Sequence, residues 1–286
     1  MNVKWLASPA LLALLALVAA CAGPAPPPPS TEVVAAQRPQ LPTDPGDGAW
    51  HDAPVFTAML VLQDMVEPRL LQPSTDRVQV RALTDGKTIA FRLDWTDATV
   101  DDVPGLARFS DACAVQLPLG TGADVPAPQM GEMLRPVEIV YWRAYWQSMV
   151  DGREDSITAL FPNATVDHYP FEAAALQVGS EAQREMARRY APARALGNDM
   201  AGPRKQPVQD LIAEGPGTIS PAPETRSAGS GKRSGQGWSV VLSRPLPSGL
   251  APGGRTQVAF AVWQGLNQES GARKMRSVWI PLLRQK

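Results

Sequence analysis

The chain is poor in the residues that most directly announce chemistry. It has two cysteines and two histidines in 286 residues, so a zinc site built from Cys and His is implausible with only His51 and His168 to supply imidazoles. No C-x-x-C-H occurs, which excludes covalent c-type haem attachment. G-x-S-x-G, H-E-x-x-H, a Walker loop and a Rossmann fingerprint are all absent, so a hydrolase or nucleotide-dependent reading starts weak. Charge of one sign is lacking too: 27 basic against 28 acidic residues leave a net charge of −1. That argues against a nucleic-acid footprint or an electrostatic membrane patch, and leaves a protein partner to be recognised by shape.

What is present points to strands. Hydrophobic residue types make up 44% of the chain, enough for a real core. Pro (29) and Gly (23) are abundant and Trp (8) outnumbers Phe (6), a balance that suits a turn-rich β protein. Residues 1–20 read as an export signal, with Lys4 before an apolar run, Leu6 to Ala20, too short to span a bilayer comfortably. Val18-Ala19-Ala20-Cys21 resembles a lipobox whose Cys21 thiol takes a diacylglyceryl group. Ala22 and Gly23, with no Asp directly after Cys21, favour by analogy the periplasmic face of the outer membrane. Once Cys21 is lipidated only Cys113 remains, and no intramolecular disulfide can form. Residues 21–48 read as a Pro-rich tether, and residues 49–286 as the folded domain.

From Trp50 onward, period-two alternation dominates. Val78, Val80 and Ala82 alternate with polar neighbours, Asp85-Gly86-Lys87 turns the chain, and Ile89, Phe91, Leu93 and Trp95 answer on one face, a β-hairpin pattern. The alternation recurs at Cys113-Val115-Leu117, Val137-Ile139-Tyr141, Trp238-Val240-Leu242 and Val258-Phe260-Val262, with a last strand over Ser277 to Leu283. The expected fold is therefore mainly β: a two-sheet antiparallel β-sandwich with helical and loop insertions. Glu181 to Tyr190 has helix-forming composition, and Gly197 to Gly235 reads as a loop-rich insertion of the kind that builds a pocket. Asp94, Asp97, Asp101, Asp102 and Asp111 suggest a solvated turn rather than a metal site.

Several segments taken in order carry a resemblance. They are Trp50-His51-Asp52-Ala53-Pro54, Phe91-Arg92-Leu93-Asp94-Trp95-Thr96-Asp97, Phe109-Ser110-Asp111-Ala112-Cys113, Met130-Gly131, Pro136-Val137-Glu138-Ile139 running to Trp142-Arg143-Ala144, Asp210-Leu211-Ile212-Ala213-Glu214-Gly215 and Ala259-Phe260-Ala261-Val262-Trp263 with Trp279. Together they resemble the ethylbenzene dehydrogenase gamma-subunit family, the haem-b-binding subunits of type II dimethyl sulfoxide reductase-family molybdenum enzymes.

The resemblance implies a β-sandwich that binds one non-covalent haem b between a methionine and a lysine and passes electrons without transforming a substrate. It places the methionine at Met130, with Met133 a near neighbour, and suits a soft thioether on low-spin iron. It places the lysine at Lys205, just before Pro207 to Leu211, with Lys232 and Lys274 as the other candidates. Trp142 is the candidate haem wall, although strand alternation also fits it to the core. His51 and His168 are alternative ligands. The implied partner is a redox protein, either a molybdenum oxidoreductase or a cytochrome. A cofactor-free carbohydrate-binding or scaffolding module with the same sandwich is the competing expectation.

Overall fold

The structure, a computed structural model, describes residues 30–286 except 104, 121–124, 155, 165–176, 178, 197, 199–200 and 203. The signal segment, Cys21 and His168 lie outside the described residues. Residues 31–286 form one unit.

The chain runs β1 (Val33–Gln37), β2 (Phe56–Met59), β3 (Val61–Leu62), β4 (Arg77–Thr84), β5 (Thr88–Thr96), β6 (Ala112–Pro118), β7 (Val137–Arg143), α1 (Ala144–Val150), α2 (Ile157–Leu160), α3 (Glu181–Tyr190), α4 (Pro192–Ala195), β8 (Val208–Ala213), β9 (Ser220–Pro221), β10 (Ala228–Ser234), β11 (Gly237–Pro245), β12 (Arg255–Trp263), β13 (Met275–Arg276) and β14 (Ile280–Arg284). One sheet has the order β10-β11-β5-β4-β1-β14-β12, with β2 on β4. The other runs β12-β6-β7-β8-β9, with β13 and β3 beyond β12. β12 serves both: Arg255 to Val258 pair with β14 and Ala259 to Trp263 pair with β6. A strand that changes sheets in this way closes the corner of a sandwich.

The expected hairpin is present as β4 and β5, with Ala82 opposite Phe91 and Val80 opposite Leu93. Asp85 turns it by accepting from the backbone N–H of Lys87 and of Thr88 at 2.8 and 2.7 Å. The core between the sheets is aromatic: Phe91 meets Phe260 at 6.2 Å between centroids, and Trp142 meets Trp95 at 6.4 Å and Trp238 at 5.2 Å. All three contacts are edge-to-face, the arrangement that aligns ring edge with ring face. A Cβ on Gly231 would collide with the Trp142 indole, so β10 brings bare backbone against the ring. Gln147 completes the packing by accepting from Trp142 Nε1 at 3.1 Å and from Gly231 N at 2.8 Å.

Three expectations change. The stretch read as a tether contains β1, whose Val33, Ala35 and Ala36 are buried and which pairs in parallel with both β4 and β14. These are the two parallel pairings among the described strands; the tether expectation is thereby confined to what precedes residue 31. The stretch Gly197 to Gly235, read as loop, contains β8, β9 and β10. Asp97 and Asp111 are buried rather than solvated. Asp111 accepts from Asp101 N, Trp238 Nε1 and Gly265 N at 2.9, 3.0 and 2.9 Å, so it ties three segments together at one end of the sandwich. The expected helix at Glu181 to Tyr190 is present as α3, capped by Ser180, whose Oγ accepts from Gln183 N at 3.0 Å. No described helix is long and apolar enough to cross a membrane.

Candidate functional site

The second sheet is buried on both sides. Every residue of β6 is buried, although only alternate ones face the core between the sheets. The other set lies under a cavity of about 590 Å³, a size typical of small-molecule sites. One row of this face runs in register across five strands: Arg276 on β13, Ala261 on β12, Ala114 on β6, Tyr141 on β7 and Gln209 on β8. Alanine at the central positions leaves a flat, low floor, with larger groups rising at both ends. All five residues line the cavity.

Met130 overhangs this floor. It is a non-glycine residue held at φ 69°, and Gly131 follows at φ 80°. A left-handed non-glycine residue costs roughly 1–3 kcal/mol and persists only where its surroundings fix it. Here they do. Gly131 N donates to Ala127 O at 3.0 Å, Gly215 N to Met130 O at 2.8 Å, Ala127 N to Glu132 Oε1 at 2.9 Å, and Gln116 Nε2 to Pro128 O at 3.0 Å. Trp279 Nε1 adds a bond to Pro126 O at 2.6 Å. Gly131 is required on a second count, since a Cβ there would lie 2.9 Å from Ala213 O.

Lys274 faces Met130, with its Nζ directed at the Met130 sulfur at 3.7 Å and lying 5.1 Å from the Trp263 ring centroid. Its backbone is fixed by Gln63, whose N–H donates to Lys274 O at 3.0 Å and whose side-chain amide donates to Ala272 O at 3.0 Å. Burial, seconded by the adjacent Arg276 guanidinium, brings the Lys274 ammonium down from 10.5 to about 8. Burial pushes the Tyr141 phenol up, with Arg143 opposing.

The polar groups of the cavity are mostly donors. Gln209 is buried and both its amide atoms lack a hydrogen-bond partner among the described residues, as do the Nε atoms of Arg143 and Arg276. Buried polar atoms are seldom left this way unless something else meets them. The acidic residue at the cavity, Glu67, is exposed on the rim and paired with Arg69 at 2.8 Å. The interior is therefore apolar and electropositive, with one soft sulfur and one readily neutralised amine face to face.

The structure brings together only part of the expected set. Met130 is in the cavity, and Met133 is 80% exposed outside it. Lys205 lies on an exposed bend ahead of β8 and lines no part of the cavity, and Lys232 pairs with Asp44 at 2.6 Å on the surface. The lysine opposite Met130 is thus Lys274. Trp142 is in the core, on the face of β7 opposite Tyr141, and does not wall the cavity. The reason is parity, because neighbours on a strand point to opposite faces. The same parity placed Ile139, Tyr141 and Arg143 on the cavity side and was the signal that could have found them. His51 is exposed at the end of a short 3-10 turn. Among the described residues no group of three or more His, Cys, Asp or Glu is arranged for a metal ion.

The molecule is thus a β-sandwich with an apolar, cationic trough on the outer face of one sheet. The chain belongs to the ethylbenzene dehydrogenase family, whose model matches residues 47–275. Among relatives, it is 27% identical over 258 residues to the putative respiratory nitrate reductase heme subunit ORF7 of Haloferax mediterranei, covering 86% of this chain and 69% of that one. It is 26% identical over 217 residues to the chlorate reductase subunit gamma of Ideonella dechloratans, covering 73% and 65%. Among solved structures, a carbohydrate binding module of family 9 from Caldicellulosiruptor kristjanssonii in complex with cellotriose aligns with a TM-score of 0.44 at 7% identity, over 88% of this chain and 93% of that one.

Proposed function

We propose that the protein is an electron-transfer subunit that binds one b-type haem non-covalently in the trough, where Met130 and Lys274 would hold its iron. The observation that carries this reading is the face-to-face placement of the Met130 sulfur and the Lys274 amine over an apolar floor. The residues fit the group in three ways. The floor is flat and apolar, the donors are a thioether and a nitrogen base, and the unpartnered buried donors suit the carboxylates of a porphyrin. Membership in the family and the heme-subunit name of one relative support the same reading.

When bound, the haem supplies a one-electron Fe(III)/Fe(II) couple. The chain supplies the rest. The Met130 loop, fixed by its hydrogen bonds, presents a soft sulfur without needing to reorganise. Lys274 must be neutral to donate. With its pKa brought down to about 8 by burial, the neutral form is far more accessible at pH 7 than in an exposed lysine. The apolar walls keep water from both donors. A sugar-binding role would call for an exposed aromatic platform. Trp263 in the cavity wall is instead buried, its indole N–H donating to Gly271 O at 3.1 Å.

The partner in this reading is a redox protein, either a molybdenum oxidoreductase that transforms the substrate or a cytochrome. The subunit is exported, anchored through a lipid on Cys21 and positioned at the periplasmic side of the outer membrane. Fatty-acid labelling of the protein in cells, lost in Cys21→Ala, tests the anchor. Titration of haem into the full apo-chain tests the function. Uptake of one equivalent with a sharp low-spin α-band after dithionite is the expected result, and a featureless or high-spin spectrum overturns it.

A further inference from the structure

The trough has two cationic ends, and they differ. At the β13 end, Arg276 directs its Nη atoms at Ser277 O (3.5 Å) and at the Met65 sulfur (3.8 Å), and it sits two residues from Lys274 on the same short segment. At the β7–β8 end, roughly 19 Å across the sheet by four strand spacings, Tyr141 and Gln209 are directly paired and Arg143 follows two residues along β7. Tyr141 and Arg143 bring hydroxyl and guanidinium donors to this end. Gln209 is 1% exposed, with both amide atoms unpartnered, and Arg143 Nε is likewise buried without a partner. No ion pair to Arg143 is present among the described residues, and its guanidinium lies 5.5 Å from the centroid of the buried Trp146 ring.

Building on the haem reading, we propose that Arg143, Gln209 and Tyr141 form a carboxylate anchor: this end of the trough takes the propionate groups of the porphyrin, and so sets which way round it enters. Arg143 supplies charge and a donor fork, the Gln209 amide a fixed hydrogen bond, and the Tyr141 hydroxyl a third donor. The carboxylates are thereby kept several strands from Lys274. The anchor is a positioning device and does not touch the iron.

The test is a cycle between protein and ligand. Haem and haem dimethyl ester, which lacks the carboxylate charges, are each titrated into the full chain as wild type, Arg143→Met, Gln209→Leu, Arg143→Lys and Arg276→Met. Circular dichroism of each apo form reports folding. The wild type is expected to bind haem at least tenfold more tightly than the ester. Arg143→Met and Gln209→Leu are expected to lose at least tenfold for haem and little for the ester, with the low-spin band intact in whatever is bound. Arg143→Lys is expected to recover part of the loss. Equal affinity of the wild type for haem and ester, or a preference that disappears only in Arg276→Met, overturns the anchor while leaving haem binding in place. Failure of the wild type to take up either ligand overturns the haem reading itself, and the anchor with it.

Discussion

The two faces of strands β6, β7 and β12 are made from alternate residues of the same short sequences, yet they are built to different rules. The inner face is dense: Trp142 and Trp238 pack ring to ring at 5.2 Å, and both their indole N–H groups find acceptors in Gln147 and Asp111. The outer face carries alanine at Ala112, Ala114 and Ala261, with Tyr141 and Trp263 rising beside them. It keeps a strained residue at Met130 and leaves the Gln209 amide and Arg143 Nε without partners. Fold stability is concentrated on one face, and the capacity to hold something on the other. A strained residue and unsatisfied donors lining the same apolar cavity mark where a sequence has been shaped for a ligand rather than for folding.

The contrast is sharpest at the neighbours Tyr141 and Trp142. Trp142→Ala should cost roughly 3–5 kcal/mol in denaturant unfolding of the apo-protein, because it removes the centre of the aromatic core. Tyr141→Phe should change stability by less than about 1 kcal/mol. Comparable losses from the two would break the division between the faces.

The buried carboxylate of Asp111 gives a prediction in pH. Burial, opposed by its three N–H donors, pushes it up from 3.8 to about 7. The folded state therefore holds a proton that the unfolded chain releases, and this stabilisation is fully present below about pH 4 and lost as pH rises through 7. From this group the melting temperature should rise on going from pH 8 to pH 5, and the rise should be smaller in Asp111→Asn. An identical pH profile in wild type and variant would contradict it.

On the outer face, Met130→Gly should leave apo-protein stability within about 1 kcal/mol, as relief of the left-handed strain offsets the lost packing of a half-buried side chain. The low-spin spectrum of the haem-loaded form should nonetheless disappear. Met133→Ala should change neither stability nor spectrum, since that side chain is 80% exposed.

Much of the fold was legible in the residues. The β4–β5 hairpin, the strands at β6, β7, β11 and β12 and the α3 helix all follow from local periodicity and turn chemistry. β1 was not, because Val33-Val34-Ala35-Ala36 is short and lies among prolines, and its partners β4 and β14 sit about 50 and 250 residues away. The site was legible in the same uneven way. Met130 stands in a Met-Gly step whose position the resemblance singled out. Lys274 reaches Met130 only through the pairing of β13 with β12 and β3, a juxtaposition of residues 144 apart that no local pattern shows. Lys205 was attractive for its place before β8, yet sequence proximity to a strand does not aim a side chain at the face that matters. Trp142 follows the Met130 loop in the family pattern, which suggests a haem wall, but parity along β7 assigns it to the core.

The central claim is that Met130 and Lys274 hold the haem, and the most direct measurement is the reduced visible spectrum of haem-loaded Lys274→Ala and Lys205→Ala beside the wild type. Loss of the sharp low-spin α-band in Lys274→Ala, with Lys205→Ala indistinguishable from wild type, is the predicted result. An intact band in Lys274→Ala, or its loss in Lys205→Ala, would contradict the account.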